Sequence, residues 1–510
     1  MMNSMAIESV YDPLVFGVVL SFIFLLLLHW KKKNSRLPPG PPGWPIIGNV
    51  LQLGDKPHES LFGLAQKYGP LMSLRLGCKL TMVVSSPSMA KEVLKDNDQT
   101  FSSRSINMAA RTFAYQGTSL VWSPYGPHWR FLRRICNAEL FSPKRLDALQ
   151  HLRREEVNRT IRSIFEVSME GQSVNIGEIA FLNSLSLVGM MVCSRNLFNP
   201  GSKEVAEFKE MVWEVLKLTG TPNLSDLFPF LERFDLQGLK KGMKTLARRF
   251  DSLFDSIIEE RLGEDGAGVH HEGKDFLEIM LGLRKAGTQF TLENIKAVLM
   301  DMFIAGTDTT SVTVEWAMAE LLGKPAVIRK AQAELDEIVG QAKRMEESDI
   351  AKLPYLQAIV KEALRLHPAA PLIIPRRSDN SCEIGGYVVP ENTQVFVNVW
   401  GIGRDPSVWK EPLEFNPERF LECNTDYRGQ DFELIPFGAG RRICIGLPLA
   451  HRMVHLVLGS LLHAFNWSIP GATKDDDFVI DMSEVFGLTL QKKVPLIAVP
   501  TPRQPINLLY

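Results

Sequence analysis

A strongly apolar stretch near the start of the chain, residues 14–30, contains no charged side chain. As a helix it would be about 25 Å long, close to the ~30 Å hydrocarbon core of a membrane. Three lysines follow it directly, which predicts that its C-terminal side stays in the cytoplasm. A cleaved signal peptide is the alternative, but its basic residues should precede the apolar run. We therefore assign residues 1–36 to a membrane anchor with a basic flank.

A proline-rich stretch comes next, Leu37-Pro38-Pro39-Gly40-Pro41-Pro42-Gly43-Trp44-Pro45. Fixed φ angles and missing N–H donors disfavour both helix and sheet, so residues 37–45 are predicted to form a stiff hinge between membrane and globular part. A proline-rich ligand for a signalling module is the alternative, which the position directly after the anchor disfavours. No internal repeat or clear linker follows, and residues 46–510 are predicted to form a single domain.

Apolar residues recur with helical spacing over most of this domain, and strand-like alternation is confined to short stretches. The fold class is therefore predicted to be mainly α (α+β), with small sheets. The stretch 100–123 is aperiodic and is predicted to be a covering loop. Helices are predicted over residues 88–96, 151–168, 204–218, 238–262, 275–285, 295–322 and 354–366. A short hairpin is predicted within 71–84, strands within 382–399, and a terminal hairpin within 486–499.

An apolar segment without helical spacing interrupts the predicted helices at residues 223–231 and 234–238. Turn-forming residues among its aromatic side chains place it on the surface, where it would face a membrane or a pocket.

Composition excludes some classes of function. The formal net charge is -1, so no overall field favours nucleic acid. The six cysteines are scattered without paired spacing, which argues against a disulfide framework or a zinc cluster and for a reducing compartment. No Gly-x-Gly-x-x-Gly follows a predicted strand, so the chain shows no flavin or nicotinamide site of its own.

One cysteine stands apart because of the turn that surrounds it, Phe437-Gly-Ala-Gly-Arg-Arg-Ile-Cys-Ile-Gly446. Gly438 and Gly440 allow a positive φ and a close approach to a flat group, and Phe437 can lie against its face. Arg442 can neutralise an acid and lower the thiol pKa of Cys444. A thiolate on such a loop before a helix is one way to hold haem iron. A buried structural cysteine is the alternative.

The long helix predicted over residues 295–322 is apolar at both ends, yet Ala305-Gly-Thr-Asp-Thr-Thr310 lies in its middle. Gly306 costs about 1 kcal/mol relative to alanine in a helix, and such a cost is typical of functional sites. Thr309 can donate a hydrogen bond to a reacting oxygen, and Asp308 can relay protons from solvent. In the alternative, the threonine bonds back to the carbonyl four residues earlier and the aspartate lies on a polar face.

A weaker signal comes from Glu362 and Arg365, which share one face of a predicted helix. Most such pairs are solvated and contribute little to stability. About fifty residues later the chain reads Phe415-Asn-Pro-Glu-Arg-Phe420, just ahead of the cysteine loop.

Together with Trp129 and Arg133, these motifs resemble the cytochrome P450 family. The details are similar to plant microsomal members, especially the group of geraniol and other terpenoid hydroxylases. The resemblance implies the cytochrome P450 fold, in which a helical domain with small antiparallel sheets sandwiches haem b. It also implies that Cys444 is the axial thiolate ligand of the iron and that residues 46–510 form the catalytic domain.

The resemblance gives roles to further residues. Asp308 and Thr309 would deliver protons, and Arg419 would complete a structural network with Glu362 and Arg365. The haem and its propionates would be held by Trp129, Arg133, Arg376, Phe437 and Arg442.

For the substrate, the resemblance implies an apolar pocket lined by Phe113, Ile304, Ala305, Leu372, Ile373 and Phe486. Such a lining favours a lipophilic small molecule, most of all a terpenoid. A flavonoid, phenylpropanoid or alkaloid is the alternative.

The resemblance further implies O2 as co-substrate and electrons from NADPH through NADPH-cytochrome P450 reductase. The protein would be a single-pass protein of the endoplasmic reticulum membrane with a cytoplasmic catalytic domain. Two other classes stay open: a haem-thiolate protein that rearranges its substrate without O2, and a membrane-bound haem sensor.

Overall fold

A computed structural model describes residues 36–195, 203–266, 275–286, 290–471 and 479–503, without the side chains of 264–266. The predicted membrane helix at 14–30 lies outside these residues. The α-helices are α1 Pro57–Tyr68, α2 Pro87–Lys91, α3 Met108–Phe113, α4 Pro127–Cys136, α5 Pro143–Ala148, α6 Gln150–Met169, α7 Ile176–Cys193, α8 Lys203–Gly220, α9 Leu224–Leu227, α10 Leu239–Gly266, α11 Phe276–Lys285, α12 Leu292–Leu322, α13 Pro325–Ile338, α14 Pro354–Leu366, α15 Val399–Ile402 and α16 Leu447–Ala464. The strands are β1 Leu71–Leu76, β2 Lys79–Val84, β3 Val174–Asn175, β4 Arg376–Arg377, β5 Cys382–Ile384, β6 Tyr387–Val389, β7 Gln394–Val397, β8 Phe465–Ser468, β9 Glu484–Phe486, β10 Leu490–Lys492 and β11 Ile497–Pro502.

The long helix α12 runs through the centre of the domain. A capping box starts it: the Thr291 hydroxyl accepts from the Asn294 N–H at 3.2 Å, and the Asn294 side chain accepts from the Thr291 N–H at 3.0 Å. The central helix predicted over residues 295–322 is therefore confirmed, with its start three residues earlier. Most of its side chains are buried against neighbouring helices, which is why the pattern is apolar nearly all round.

Helix α7 is the main neighbour of α12. It is the one helix in the described ranges that is long and apolar enough to cross a membrane, and 72% of it is buried inside the protein. That burial identifies α7 as a core helix.

The predicted hairpin at 71–84 is confirmed as β1 and β2, paired from Leu71 with Val84 to Leu76 with Lys79 around Gly77, which has a φ of 57°. β2 continues in parallel with β7, and β4 forms the other edge of this sheet. The strands predicted within 382–399 are confirmed as β5 to β7.

Two predictions need correction. The stretch 100–123 is not all loop, because α3 forms within it, capped by the Asn107 side chain that accepts from the Ala110 N–H at 2.8 Å. Six residues are too few to show helical spacing in the sequence. In the last part of the chain, β9 pairs with β10, whereas β11 pairs with β8 and β3, so 486–499 is not one hairpin.

The proline-rich stretch forms no helix or strand, as fixed φ angles dictate. Its first residues nevertheless pack on β1: Ser73 donates its N–H to Pro39 at 2.9 Å and its hydroxyl to Pro38 at 2.7 Å. A Cβ on Gly40 would lie 1.9 Å from the Ser73 carbonyl oxygen. Residues 38–40, at the start of the predicted stiff hinge, thus lie against the surface of the domain.

Candidate active site

The cysteine loop leads from a short turn at Gly440–Arg442 into α16. Gly438 and Gly440 have φ values of 69° and 68°, which only glycine adopts without strain. A Cβ on Gly440 would lie 1.9 Å from the Leu94 carbonyl oxygen. This glycine is therefore required by the neighbouring backbone, whereas the sequence suggested a close approach to a flat group.

Cys444 is exposed to a cavity of about 300 Å³ in the interior of the domain. Burial raises the pKa of its thiol, while the N–H groups of Gly446 and Leu447 and the charge of Arg133 act to lower it. Arg442, which the sequence suggested for this role, points its guanidinium at backbone carbonyls instead. A metal ion bound at this sulfur would lower the thiol pKa and stabilise the thiolate.

The wall opposite the cysteine loop is the middle of α12, where Ala305, Gly306 and Thr309 line the cavity. The Thr309 hydroxyl donates to the Ala305 carbonyl at 2.8 Å, so it makes the bond to its own helix that the sequence left as an alternative. A Cβ on Gly306 would lie 3.0 Å from the Cγ2 atom of Val188 on α7. The glycine therefore permits close packing of two core helices.

Asp308 is fully buried and does not line this cavity. Its Oδ1 atom accepts a hydrogen bond from the Gln491 side chain of β10 at 2.8 Å, and its Oδ2 atom has no hydrogen-bond partner among the described residues. Burial raises the pKa of the carboxyl to about 6, although polar groups of Thr489, Gln491 and Trp213 act to lower it.

A cationic wall closes another side of the cavity. Three of its arginines were predicted from the sequence. Arg133 donates to the Ile443 carbonyl at 2.8 Å, Arg376 to the Ala439 carbonyl at 3.0 Å, and Arg442 to the Ser102 carbonyl at 2.6 Å. The Arg442 guanidinium also lies 4.4 Å from the centre of the Trp129 ring, whose indole N–H donates to the Leu120 carbonyl.

Arg104 is the fourth member of this wall, and sequence reasoning missed it. It is buried and donates to the carbonyls of Ile374 and, at 3.1 Å, Pro375. No periodicity or motif marks it, since its partners lie some 270 positions later in the chain. The only sequence signal is an arginine inside an otherwise uncharged stretch, residues 99–110.

None of these four arginines makes an ion pair within the part of the chain that the structure describes. Burial and mutual repulsion lower the pKa of Arg442 to about 9, and burial lowers that of Arg376 to about 10. Burial together with Arg376 and Arg442 also lowers the pKa of Arg104. A cluster of buried cations with free donor directions suits an anionic ligand, and the two carboxylates of haem meet this requirement.

Asp301 is a second residue that sequence reasoning gave no specific role. It lies on α12 at the cavity, and its Oδ2 atom accepts from the Val121 N–H at 2.9 Å. Burial raises the pKa of this carboxyl to about 7. The aspartate thus attaches the loop before α4 to the central helix. This loop supplies the carbonyls of Leu120 and Val121.

The structure brings Glu362, Arg365 and Arg419 together. Arg365 holds both carboxylate oxygens of Glu362 at 2.7 Å, and Arg419 reaches one of them at 3.1 Å. Arg365 also donates to the carbonyls of Gly403 at 2.5 Å and Pro412 at 2.6 Å. Glu362 and Arg365 are buried, so this is an internal network that ties α14 to the chain ahead of the cysteine loop.

Of the predicted substrate contacts, Ala305 and Ile373 line the cavity of Cys444, as does Phe437 of the predicted haem contacts. Phe113 does not, because α3 turns it into a helical core, and Ile304 packs into the same core from the other face of α12. Leu372 and Phe486 line a second cavity of about 170 Å³. Ile373, whose φ is 42°, borders both cavities and separates them.

Comparisons with known proteins agree with this arrangement. Residues 38–496 match the family model described as Cytochrome P450. The chain is 46% identical to "Geraniol 8-hydroxylase" of Swertia mussotii over 95% of this chain and 98% of that one. It is 43% identical to "Iridoid oxidase" of Catharanthus roseus, over 96% of this chain and 98% of that one. It is 42% identical to "Flavonoid 3',5'-hydroxylase" of Solanum melongena, over 97% of this chain and 96% of that one.

A solved structure of a zebra fish cytochrome P450 with progesterone has a TM-score of 0.73 and 27% identity to this chain, covering 88% of this chain and 99% of that one. The family match spans both walls of the cavity, the α12 wall and the cysteine loop. The cofactor is accordingly haem with a cysteine thiolate ligand to its iron, and the protein is a monooxygenase. The chain belongs to the cytochrome P450 family.

Proposed function

We propose that this protein is a membrane-bound monooxygenase that hydroxylates a lipophilic plant secondary metabolite, first of all a terpenoid, with O2 and electrons from NADPH. The observation that carries the proposal is the pairing of two walls: Cys444 faces Ala305, Gly306 and Thr309 of α12 across one cavity. The names of the relatives, geraniol 8-hydroxylase and iridoid oxidase, support the terpenoid.

Cys444 is the proposed iron ligand, and Phe437, which lines the same cavity, would contact a bound haem. Trp129, Arg133, Arg376 and Arg442, joined by Arg104, would hold the propionates by charge-assisted hydrogen bonds. When bound, haem supplies oxygen activation, which the electron-rich thiolate favours. Glu362, Arg365 and Arg419 hold the chain that precedes this loop.

Thr309 and Asp308 are the proposed proton-handling pair. Thr309 faces the cavity, and its hydroxyl oxygen can accept a proton while its own proton is given to the reacting oxygen. Asp308 precedes it in the chain and is buried outside the cavity, and its Oδ2 atom has no hydrogen-bond partner among the described residues. A carboxyl whose pKa is about 6 exchanges protons readily near neutral pH.

The lining of the Cys444 cavity supports a lipophilic substrate. Apart from the arginines, Asp301 and the threonines of α12, its wall is made of apolar side chains such as Val188, Leu364 and Ile374. A flavonoid is the second candidate, because flavonoid 3',5'-hydroxylase is among the relatives at 42% identity. The rates at which the protein oxidises a terpenoid and a flavonoid decide between these two substrates.

The proposed location is the endoplasmic reticulum membrane, with residues 1–36 as the anchor, 37–45 as the hinge and the catalytic domain in the cytoplasm. The electron donor would be NADPH-cytochrome P450 reductase. Support for a membrane-facing surface comes from exposed apolar side chains after the hinge and in the 3-10 turn Pro229–Phe234, among them Ile46 at 78% and Phe230 at 65% exposure.

The test is turnover by the full-length protein in microsomes with added reductase and NADPH. A panel of monoterpenols, diterpenes and flavonoids is offered, and oxidised products are identified by mass spectrometry. We expect hydroxylated product from a terpenol. Binding spectra with many ligands but no oxidised product from any of them would overturn the proposal.

Two variants separate the roles within the site. Cys444→Ala should abolish the thiolate-specific absorption of the reduced CO complex. Thr309→Ala should keep that absorption but consume NADPH without a matching yield of product. Tight coupling in Thr309→Ala would exclude the proton role of this hydroxyl.

A further inference from the structure

The hairpin of β9 and β10 touches three parts of the domain. Its turn residues Gly487 and Leu488, with Phe486, line the second cavity. Its first strand is fastened by Glu484, whose carboxylate accepts from His58 of α1 at 2.6 Å. Its second strand lies along α12, where the Leu490 carbonyl accepts from the Trp316 indole at 3.0 Å. The hairpin is thus held at both strands by contacts that do not involve Gln491.

Two side chains of this hairpin act on Asp308: the Gln491 amide, which makes a well-formed hydrogen bond to it, and the Thr489 hydroxyl. The Gln491 Nε2 atom donates to the Asp308 Oδ1 atom at 2.8 Å, which leaves Oδ2 without a hydrogen-bond partner in the described residues. A buried carboxylate that has lost its water depends strongly on each donor that remains. Because the Oδ1 atom is held by this bond, the orientation of the Oδ2 atom is fixed as well.

We propose that Gln491 is a positioning residue for the monooxygenase reaction: its amide orients the Asp308 carboxylate and stabilises the ionised form that proton release leaves behind. The inference rests on the proposed function of Asp308. Each turnover moves a proton from the Asp308 carboxyl toward Thr309, and the carboxylate left behind is reprotonated from solvent. Gln491 acts on the first half of this cycle, because an amide donor stabilises the carboxylate and not the acid, and so favours release of the proton.

Other groups around Asp308 have to be considered for any effect of pH. From the hairpin, the Thr489 hydroxyl faces it, and from α8 the Trp213 indole. The charged groups are Glu315, seven residues further along α12, and Lys209 of α8, whose pKa burial lowers. The pKa of Glu315 is itself raised by burial. Neither charge forms an ion pair with Asp308 in the structure, so the uncharged donors Thr489, Gln491 and Trp213 act on the carboxyl more strongly than the charges do.

The first experiment reads the carboxyl itself without turnover. The haem-loaded full-length protein is titrated with acid and followed by infrared difference spectroscopy, and the carboxyl band that is missing in Asp308→Asn is assigned to Asp308. In Gln491→Leu we expect its midpoint to rise by about one pH unit, the usual effect of losing one donor to a buried carboxylate. An unchanged midpoint would overturn the proposal.

The second experiment measures product formed per NADPH consumed between pH 6 and 8.5. Gln491→Leu should lower this coupling several-fold, with KM little changed and the pH profile displaced upward. In the Asp308→Asn background the same substitution should have no further effect. An additional loss there would mean that Gln491 supports only the fold, and would contradict positioning.

Lys493→Gln is the matched control, since it alters an exposed side chain two residues further along the same hairpin and should leave both readouts unchanged. Gln491→His places a ring N–H donor, at Nε2, as many bonds from the backbone as the Nε2 donor of glutamine. It should therefore recover part of the coupling that Gln491→Leu loses. If the wild-type protein forms no product, the proposed function fails, while the infrared midpoint still tests the role of Gln491.

Discussion

At the scale of single residues, the cationic wall determines how firmly the cofactor is held. Arg104 contributes a buried charge with no carboxylate partner in the described ranges and three donors to backbone carbonyls. Arg104→Met should speed haem loss about tenfold, since a charge-assisted hydrogen bond contributes roughly 1.5–3 kcal/mol. The rate of haem transfer to apomyoglobin measures this.

Arg104→Lys keeps the charge but loses the fork of donors, so its rate should lie between those of wild type and Arg104→Met. Arg130→Met removes an exposed arginine from α4 and serves as the control. Equal rates in Arg104→Met and Arg130→Met would exclude Arg104 from haem retention.

Asp308 makes the protein less stable as the pH rises. Its pKa is about 6 in the folded protein against 3.8 for the ordinary group, so the folded state binds the proton more tightly. The free energy of unfolding therefore falls between about pH 4 and 6, by roughly 3 kcal/mol in full. Asp308→Asn removes this cost, and it should raise the thermal unfolding midpoint more at pH 7.5 than at pH 5 while lowering, but not abolishing, the product formed per NADPH consumed.

The control for that comparison is Glu170→Gln, at an exposed position in the turn after α6. It should shift the midpoint equally little at both pH values. If Asp308→Asn stabilised the protein more at pH 5 than at pH 7.5, the predicted pH dependence would be wrong.

At the scale of elements, Gly306 shows how two effects of similar size compete. Alanine in its place would favour the helix by about 1 kcal/mol, while its Cβ would lie 3.0 Å from Val188 and cost about 1–3 kcal/mol in crowding. Gly306→Ala alone should therefore be neutral or destabilising. In a Val188→Ala background the crowding disappears, and the same substitution should stabilise the protein by about 1 kcal/mol.

Thermal unfolding of the four proteins in this cycle gives the interaction between the two positions. Gly63→Ala is the matched control, because an added Cβ at this position of α1 meets nothing within 4 Å, so its effect should be the same in both Val188 backgrounds. If Gly306→Ala has the same effect in both backgrounds, the contact with Val188 does not explain the glycine.

The elements that could be predicted from sequence are those whose signal is local. α12 and the β1–β2 hairpin carry their periodicity and turn residues within a short stretch, and α14 was predicted with its observed limits. α3 was missed because its six residues show no period. β11 was misassigned because a strand's alternation does not say which strand it joins, and its partners β8 and β3 lie far apart in the chain.

In the candidate site too, the parts that could be predicted are those whose signal is local in the sequence. The cysteine loop and the polar residues in α12 could be found because each motif is contiguous. Asp301 and Gln491 were missed, since their partners are 180 and 183 positions away. The second cavity, with Leu372 and Phe486, could not be separated from the first, because its boundary at Ile373 depends on how three elements pack.

At the scale of the whole molecule, one face combines apolar side chains from two distant segments. Trp44 is 61% exposed and Phe230 65%. Their segments are joined through the β1–β2 turn, where the Gly77 N–H donates to the Ile47 carbonyl at 3.2 Å and the Cys78 N–H to the Leu227 carbonyl at 2.9 Å. A shared apolar face at the start of the described chain suits contact with a membrane, as the proposed anchor at residues 1–36 would require.

This contact can be measured with the full-length protein in vesicles that carry brominated acyl chains, which quench tryptophan emission at short range. The difference between wild type and Trp44→Phe reports on Trp44 alone, and we expect most of that emission to be lost in brominated lipid because an indole prefers the interface. Trp213→Phe is the matched control, since Trp213 is 40% exposed on α8 and belongs to neither segment. Equal quenching of Trp44 and Trp213 would exclude this face as the one that lies on the membrane. Selective quenching of Trp44 would place Leu53 and Leu227, which line the second cavity, on the membrane side of the domain, and would give a lipophilic substrate a route from the bilayer to that cavity.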